Sequence, residues 1–140
     1  MANYWLFKSE PDVWSWDQQK AKGAVGEEWT GVRNYQARNN MRAMKLGDRG
    51  FFYHSNEGRA VVGIVEVCKL AHKDSTAEVD TWECVDICAV ADVPRHVTLD
   101  EIKADPALKD MVLVNNSRLS VQPVSAAEFK YICKLGRVKP

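Results

Sequence analysis

Hydrophobic and polar positions change their period several times along this 140-residue chain. Tyr4-Trp-Leu-Phe-Lys8 is a short aromatic and apolar run, the composition of a first strand. Ser15-Trp-Asp-Gln18 has capping-box spacing and opens a short helix that should stop near Gly23. Ala37, Met41 and Met44 recur at helical offsets, so a helix is predicted from Asn34 until Gly47 ends the pattern. Gly50-Phe-Phe-Tyr-His-Ser55 and Ala60–Leu70 flank the turn signal Asn56-Glu-Gly58 and read as a hairpin. Trp82–Val90 is a third long strand with Val85, Ile87 and Ala89 on one face. A second capping box at Thr98-Leu-Asp-Glu101 is followed by Asp105-Pro106, which starts one more helical turn. Arg118–Gln122 alternates as a strand, and Ser125-Ala-Ala-Glu128 caps a last helix with the stripe Phe129, Ile132, Cys133, stopped by Gly136. Few regular βαβ units appear in this order, which favours an α+β fold with a mostly antiparallel, possibly closed sheet.

The length suits one domain over residues 1–140, and no repeat, low-complexity tract or linker divides it. Hydrophobic residues are 46% and charged residues 27%, which argues against global disorder. Nineteen basic and 19 acidic side chains cancel, excluding a polycation that coats nucleic acid or membrane by bulk charge. The balance is uneven along the chain. Residues 33–73 carry net +5 and residues 113–140 net +4, whereas residues 74–112 carry net −7. Either these blocks interleave in space and cancel, or the two basic blocks form one face with the acidic stretch Asp74–Asp110 turned away.

Cys68, Cys84, Cys88 and Cys133 follow no secretory signal, because Lys8, Glu10 and Asp12 interrupt the start where an apolar segment would lie. Reduced thiols in a cytoplasmic protein are expected. The longest apolar runs, Ala60–Val65 and Met111–Val114, are far too short for a membrane span. Cys84 and Cys88 lack zinc-knuckle spacing; with His72 and His96 nearby they suggest buried core thiols more than a metal site, and no metal or cofactor is expected.

Common enzyme signatures are absent: there is no phosphate-binding Gly-rich loop, no G-x-S-x-G and no H-E-x-x-H. Polar residues instead gather just past strand ends and at a helix entrance, in Lys8-Ser-Glu-Pro11, Trp29-Thr-Gly-Val-Arg-Asn34 and Tyr53-His-Ser55. Those segments are similar to the EVE domain family. The similarity runs through Tyr4–Pro11, Trp29–Ala37, Gly47-Asp48 leading to Phe52-Tyr-His-Ser55, Val62-Gly-Ile-Val-Glu66 and Ser117–Pro123, and so spans nearly the whole chain. The resemblance implies a PUA-like fold related to PUA, ASCH and YTH domains: a mostly antiparallel or mixed β-barrel of about five to six strands flanked by helices. It also implies binding of DNA or RNA that carries a modified base, a 5-substituted cytosine being the proposed ligand.

YTH relatives hold a methylated adenine in an aromatic cage, and Lys8-Ser9 and Trp29-Thr30 match their first-strand end and cage Trp. Trp82 is only a candidate for the second cage position. Within such a site Trp29 is a stacking platform, or else a core Trp packing the helix entrance. Ser9, Thr30, Asn34 and Ser55 can meet the base edge, although Asn34 is also a good N-cap and Ser9 a turn residue. Glu10 can accept from an exocyclic amine or pair with Arg33 or Arg118. His54 can bond a base or phosphate, or a backbone group. Phosphate contacts fall to Lys8, Arg33, Arg38, Arg42 and Arg118, the alternative for Arg38 and Arg42 being a solvated helix face.

A non-enzymatic reader of a modified base is the first functional expectation, without membrane or metal. The alternative is an ASCH-like hydrolase of a modified nucleoside, using Lys8, Glu10 and Thr30 for acid–base and nucleophilic work. A protein-interaction module docking through the acidic stretch is the third.

Overall fold

The computed structural model describes residues 3–140. Six strands form one mixed sheet: β1 (Tyr4–Ser9), β2 (Glu27–Glu28), β3 (Arg49–His54), β4 (Ala60–Lys73), β5 (Glu83–Thr98) and β6 (Val121–Val124), in the order β2-β5-β4-β3-β1-β6. β1 and β3 run parallel, from Tyr4 opposite Arg49 to Ser9 opposite His54, and every other ladder is antiparallel. The two end strands β2 and β6 do not pair among the described residues, so the sheet stays open and the expected closure into a barrel does not occur. The fold is α+β and PUA-like, with the sheet as its middle layer.

Alternation along the strands builds a core on each face. Trp5 and Phe7 of β1 point to one side with Phe52 of β3, and Leu6, Phe51 and Tyr53 point to the other. The first side is covered by α1 (Trp16–Ala21) through Trp16 and by α2 (Tyr35–Ala43) through Ala37 and Met41. On the second side lie Ile102 of α3 (Leu99–Ala104), Leu113 of α4 (Val112–Asn115), and the stripe Phe129, Ile132, Cys133 of α5 (Ala126–Leu135). The caps read from sequence hold: Ser15 with Gln18 and Ser125 with Glu128 form complete capping boxes, Thr98 accepts from Glu101 N, and Asn34 accepts from Ala37 N.

Three elements differ from the pattern. β5 continues past Val90 to Thr98, through Pro94, because its ladder with β4 shifts between Gly63–Asp92 and Val61–Val97 and asks no N–H of the proline. β6 begins at Val121 rather than Arg118 and carries Pro123, which an edge strand bonded only to β1 accommodates. β2 is a two-residue strand with no hydrophobic pattern, held by Ile87 and Asp86 of β5.

Trp16 ties α1 to the sheet. Its backbone N–H donates to His54 Nε2 at 3.1 Å, and its indole N–H donates to Asp92 Oδ1 at 2.8 Å. The ring lies so close over Gly63 of β4 that an added Cβ would sit 2.3 Å from it. Gly63→Ala therefore forces the indole off its seat, and a loss of about 1–3 kcal/mol in unfolding free energy is expected by chemical denaturation. A variant as stable as the parent would show that the ring is not held there.

Candidate nucleic-acid interface

The parallel pair β1 and β3 ends on one rim of the sheet, where Ser55 N donates to Ser9 O at 2.9 Å. Two hollows open there, beyond the carboxyl ends of the parallel strands, where open sheets commonly bind ligands. The first is a cavity of about 450 Å³, within the range of small-ligand sites. Its walls are the end of β1, the turn Glu10–Trp14, and the segment Glu27–Arg33 that leads to α2.

Trp29 is 7% exposed and its ring is wedged between Phe7 (5.4 Å, 71°) and Phe52 (5.6 Å, 85°), both edge-on, while its backbone N–H donates to Val85 O. It is at once a core residue and part of the cavity wall. Trp14 is a second indole in that wall, which the sequence did not mark. Val13 and Trp14 donate backbone N–H bonds to Glu10 O, Ser9 Oγ donates to Trp14 O at 2.5 Å, and Trp14 Nε1 donates to Gln19 Oε1 at 3.0 Å. Lys8, Ser9, Glu10, Thr30 and Arg33 also line this cavity. Glu10 makes no ion pair with Arg33 or Arg118 among the described residues. Lys8 Nζ donates to Ser117 O at 2.7 Å, and burial pulls its pKa below the ordinary lysine value.

The remaining site residues lie elsewhere. Asn34 spends its side chain on the N-cap of α2, and His54 accepts from Trp16 N at the start of α1; neither lines the cavity. Burial, then the neighbouring His96 charge, lowers the His54 pKa. Trp82 packs against Tyr35 with the two rings 5.0 Å apart and tilted by 35°, and the Arg33 guanidinium lies 5.7 Å from its ring, outside the cavity. Ser55 and Arg118 line the second hollow, which shares Lys8, Glu10 and Ser120 with the first.

The acidic stretch does not turn away from the basic one. Arg33 pairs with Asp74 at 3.2 Å, Arg42 pairs with Glu83, and Arg38 donates to Thr81 O and Asn39 Oδ1. On the α2 face expected to carry phosphate, the chain that follows β4 thus pairs Arg42 with a carboxylate and occupies Arg38 with a carbonyl, and the two blocks interleave.

Asp74 organises the cavity wall. Its carboxylate, in a residue 1% exposed, accepts from Gly31 N (2.8 Å), Thr76 N (2.8 Å), Thr76 Oγ1 (2.6 Å) and Arg33 Nη1 (3.2 Å). Gly31 sits at φ +83°, the left-handed region that lets its N–H face Asp74. Beside it, Glu28, His72 and Cys84 bring three potential metal-ligand atoms within 4.8 Å of one another. Of these, Cys84 and His72 face each other across the β4–β5 ladder, and Glu28 is the member the sequence reading did not mark. Both His72 nitrogens lie on acceptors, Nε2 at 2.7 Å from Asp86 Oδ1 and Nδ1 at 3.0 Å from Lys73 O. Burial pulls the ring's pKa down, and those bonds with the Asp86 charge outweigh it. Burial likewise pushes the Cys84 thiol up to about 12, with the nearby carboxylates adding to it.

An open mixed sheet covered by helices on both faces, with an aromatic and polar cavity at its strand ends, defines a PUA-like domain. The chain belongs to the EVE domain family, whose model matches residues 3–135. It is 37% identical to thymocyte nuclear protein 1 of Mus musculus, in a match covering 100% of this chain and 76% of that protein. A solved protein of Agrobacterium tumefaciens is 67% identical with a TM-score of 0.96, covering 98% of this chain and 94% of its own. The human THYN1 protein, solved in complex with DNA containing 5-methylcytosine, is 34% identical with a TM-score of 0.89, covering 99% of this chain and 100% of its own.

Burial opposes ionisation of Asp74, but the bonds from Thr76, Gly31 and Arg33 prevail and hold its pKa below the ordinary carboxylate value. As pH falls, the unfolded chain takes up this proton first. The carboxylate's contribution is complete above the ordinary range and is lost as pH drops toward the depressed native value. Asp74→Asn should cost about 1–3 kcal/mol at neutral pH. The gap between variant and parent should narrow below about pH 4 in denaturation curves. A gap that does not change with pH would disprove this role for the ionised carboxylate.

Proposed function

We propose that this domain binds nucleic acid and holds one modified base, a 5-substituted cytosine, in the first cavity. The observation that carries the reading is the convergence of two indoles, Trp14 and Trp29, with the unpaired carboxylate of Glu10 and the hydroxyl residues Ser9 and Thr30 in one hollow. A stacked base is inaccessible, so the base is taken from a single strand or flipped out, at a cost of a few kcal/mol. Stacking on indole returns roughly 1–3 kcal/mol of that cost. Glu10 is the acceptor for the exocyclic amine of cytosine. Val13, 71% exposed at the mouth, and Val32 supply apolar surface for a 5-substituent. The human relative solved with 5-methylcytosine DNA supports the reading, because it shares the fold over the whole chain.

The activity is binding rather than turnover. Hydrolysis of a modified nucleoside is favoured by one feature only: Lys8, with its lowered pKa, shares the cavity with Glu10 and Thr30. Yet Lys8 Nζ is engaged by the Ser117 carbonyl, a bond that favours its charged form. Incubation with acylated and methylated cytidines should leave the nucleosides intact by mass spectrometry. Product formation lost in Glu10→Ala would replace the binding reading with the hydrolytic one.

Oligonucleotides with and without a central 5-methylcytosine test the pocket by fluorescence titration. Burial of one methyl group is worth about 0.8 kcal/mol, which predicts a preference of about four-fold for the methylated strand. Trp29→Leu should weaken binding by about 5- to 150-fold. Because Trp29 is also a core residue, Glu10→Gln at the surface is the companion variant, expected to reduce the preference for cytosine over thymine at the central position. Equal affinity for methylated and plain strands in the parent would overturn the assignment, as would unchanged binding in both variants.

A further inference from the structure

The second hollow gathers positive charge on this neutral protein. It encloses about 730 Å³, and its rim carries Lys8, Arg59, Lys103 and Arg118 against the single carboxylate Glu10. Each cation comes from a different element. Lys8 is on β1, Arg59 ends the β3–β4 turn, Lys103 is on α3, and Arg118 lies in the turn after α4. Two of them are positioned by local bonds: Arg59 O accepts from Leu99 N at 2.9 Å, and Arg118 N donates to Asn116 Oδ1 at 3.3 Å.

Several cations elsewhere are matched with acids: Arg33 with Asp74, Arg42 with Glu83, Lys20 with Asp92, Arg49 with Glu66 and Arg95 with Glu101. Among the described residues none of the four groove cations forms an ion pair. Asp100 lies beyond Arg59 in an adjoining hollow without pairing to it. Four cations gathered from four elements around one concavity, with a single carboxylate among them, fit a ligand bearing several negative charges. The floor is apolar, made by Leu99, Leu113 and Val114. Cationic rim and apolar floor together suit a chain that alternates phosphates with base faces.

We infer that this groove is the track for the phosphodiester backbone and neighbouring bases of a single strand, with Arg59 and Lys103 as its distal phosphate contacts. The inference rests on the first cavity taking a base, because Lys8, Glu10 and Ser120 line both hollows and form the divide between them. A nucleotide seated in the first cavity places its own phosphate at that divide, and the strand continues past Arg118 toward Arg59 and Lys103. The α2 face, already paired with the acidic stretch, is not on this path.

The test is the salt dependence of binding to a 12-nucleotide single strand with a central cytosine, and to the same strand with 5-methylcytosine. Losing two phosphate contacts should flatten the slope of log K against log salt by about 1.4, and weaken binding on the order of 20-fold at 0.1 M salt. The double variant Arg59→Ala/Lys103→Ala is expected to show both effects equally on the two strands, leaving any preference for the methylated one intact. Lys130→Ala/Lys134→Ala, which removes two exposed charges from α5, controls for net charge and should keep the parental slope. An unchanged slope in the groove variant, or the same change in the control, overturns the track. Loss of discrimination in the parent with the groove effect intact overturns only the base pocket, and absence of binding to either strand at low salt overturns both.

Discussion

A buried carboxylate with four donors holds the rim of the first cavity together. Asp74 lies just after β4, yet it reaches 43 residues back to take the Gly31 N–H and binds Arg33 two residues further on. The segment between Trp29 and α2 has almost no regular backbone pairing of its own, so Asp74 supplies the acceptors that its N–H and guanidinium groups would otherwise seek in water. With that segment fixed, Trp29 keeps its seat between Phe7 and Phe52 and Thr30 stays at the cavity edge. Rigid placement matters for recognising a base, because an unsatisfied buried polar group penalises the wrong partner only if it cannot move to find another.

The same interaction explains how charge is distributed. Asp74 and Glu83 draw Arg33 and Arg42 into pairs, which lowers the free positive potential of the most basic stretch of sequence. Local net charge along a chain is a poor guide to a surface once strands separated by dozens of residues lie side by side. Around the second hollow, four cations from four elements face a single carboxylate and form no ion pair among the described residues. A protein of zero net charge can in this way bind a polyanion at one place without attracting it everywhere.

Much of the fold was legible because the relevant signals are local. Capping boxes at Ser15 and Ser125, the N-cap at Asn34 and the aromatic and apolar runs of β1 and β3 each depend on residues close together in the chain. The candidate site was partly legible for the same reason, since Lys8-Ser-Glu10 and Trp29-Thr30 sit at strand ends and do line one cavity. Trp14, Asp74, Arg59 and Lys103 were not, as nothing in their neighbours says what they face. Asn34 and His54 carry residue types suited to a base, but the backbone of a helix start claimed both.

The sequence by itself determined the element types, the caps, the two-sided core residues and the resemblance that points to EVE domains, because periodicity and local hydrogen bonding are properties of neighbouring residues. Only the tertiary structure decided that the sheet stays open, that β5 runs on through Pro94, and that acidic and basic blocks interleave. It also decided which polar residues share a cavity. Those outcomes depend on long-range pairing, where a strand's register and a side chain's partner are set by segments far away in the chain.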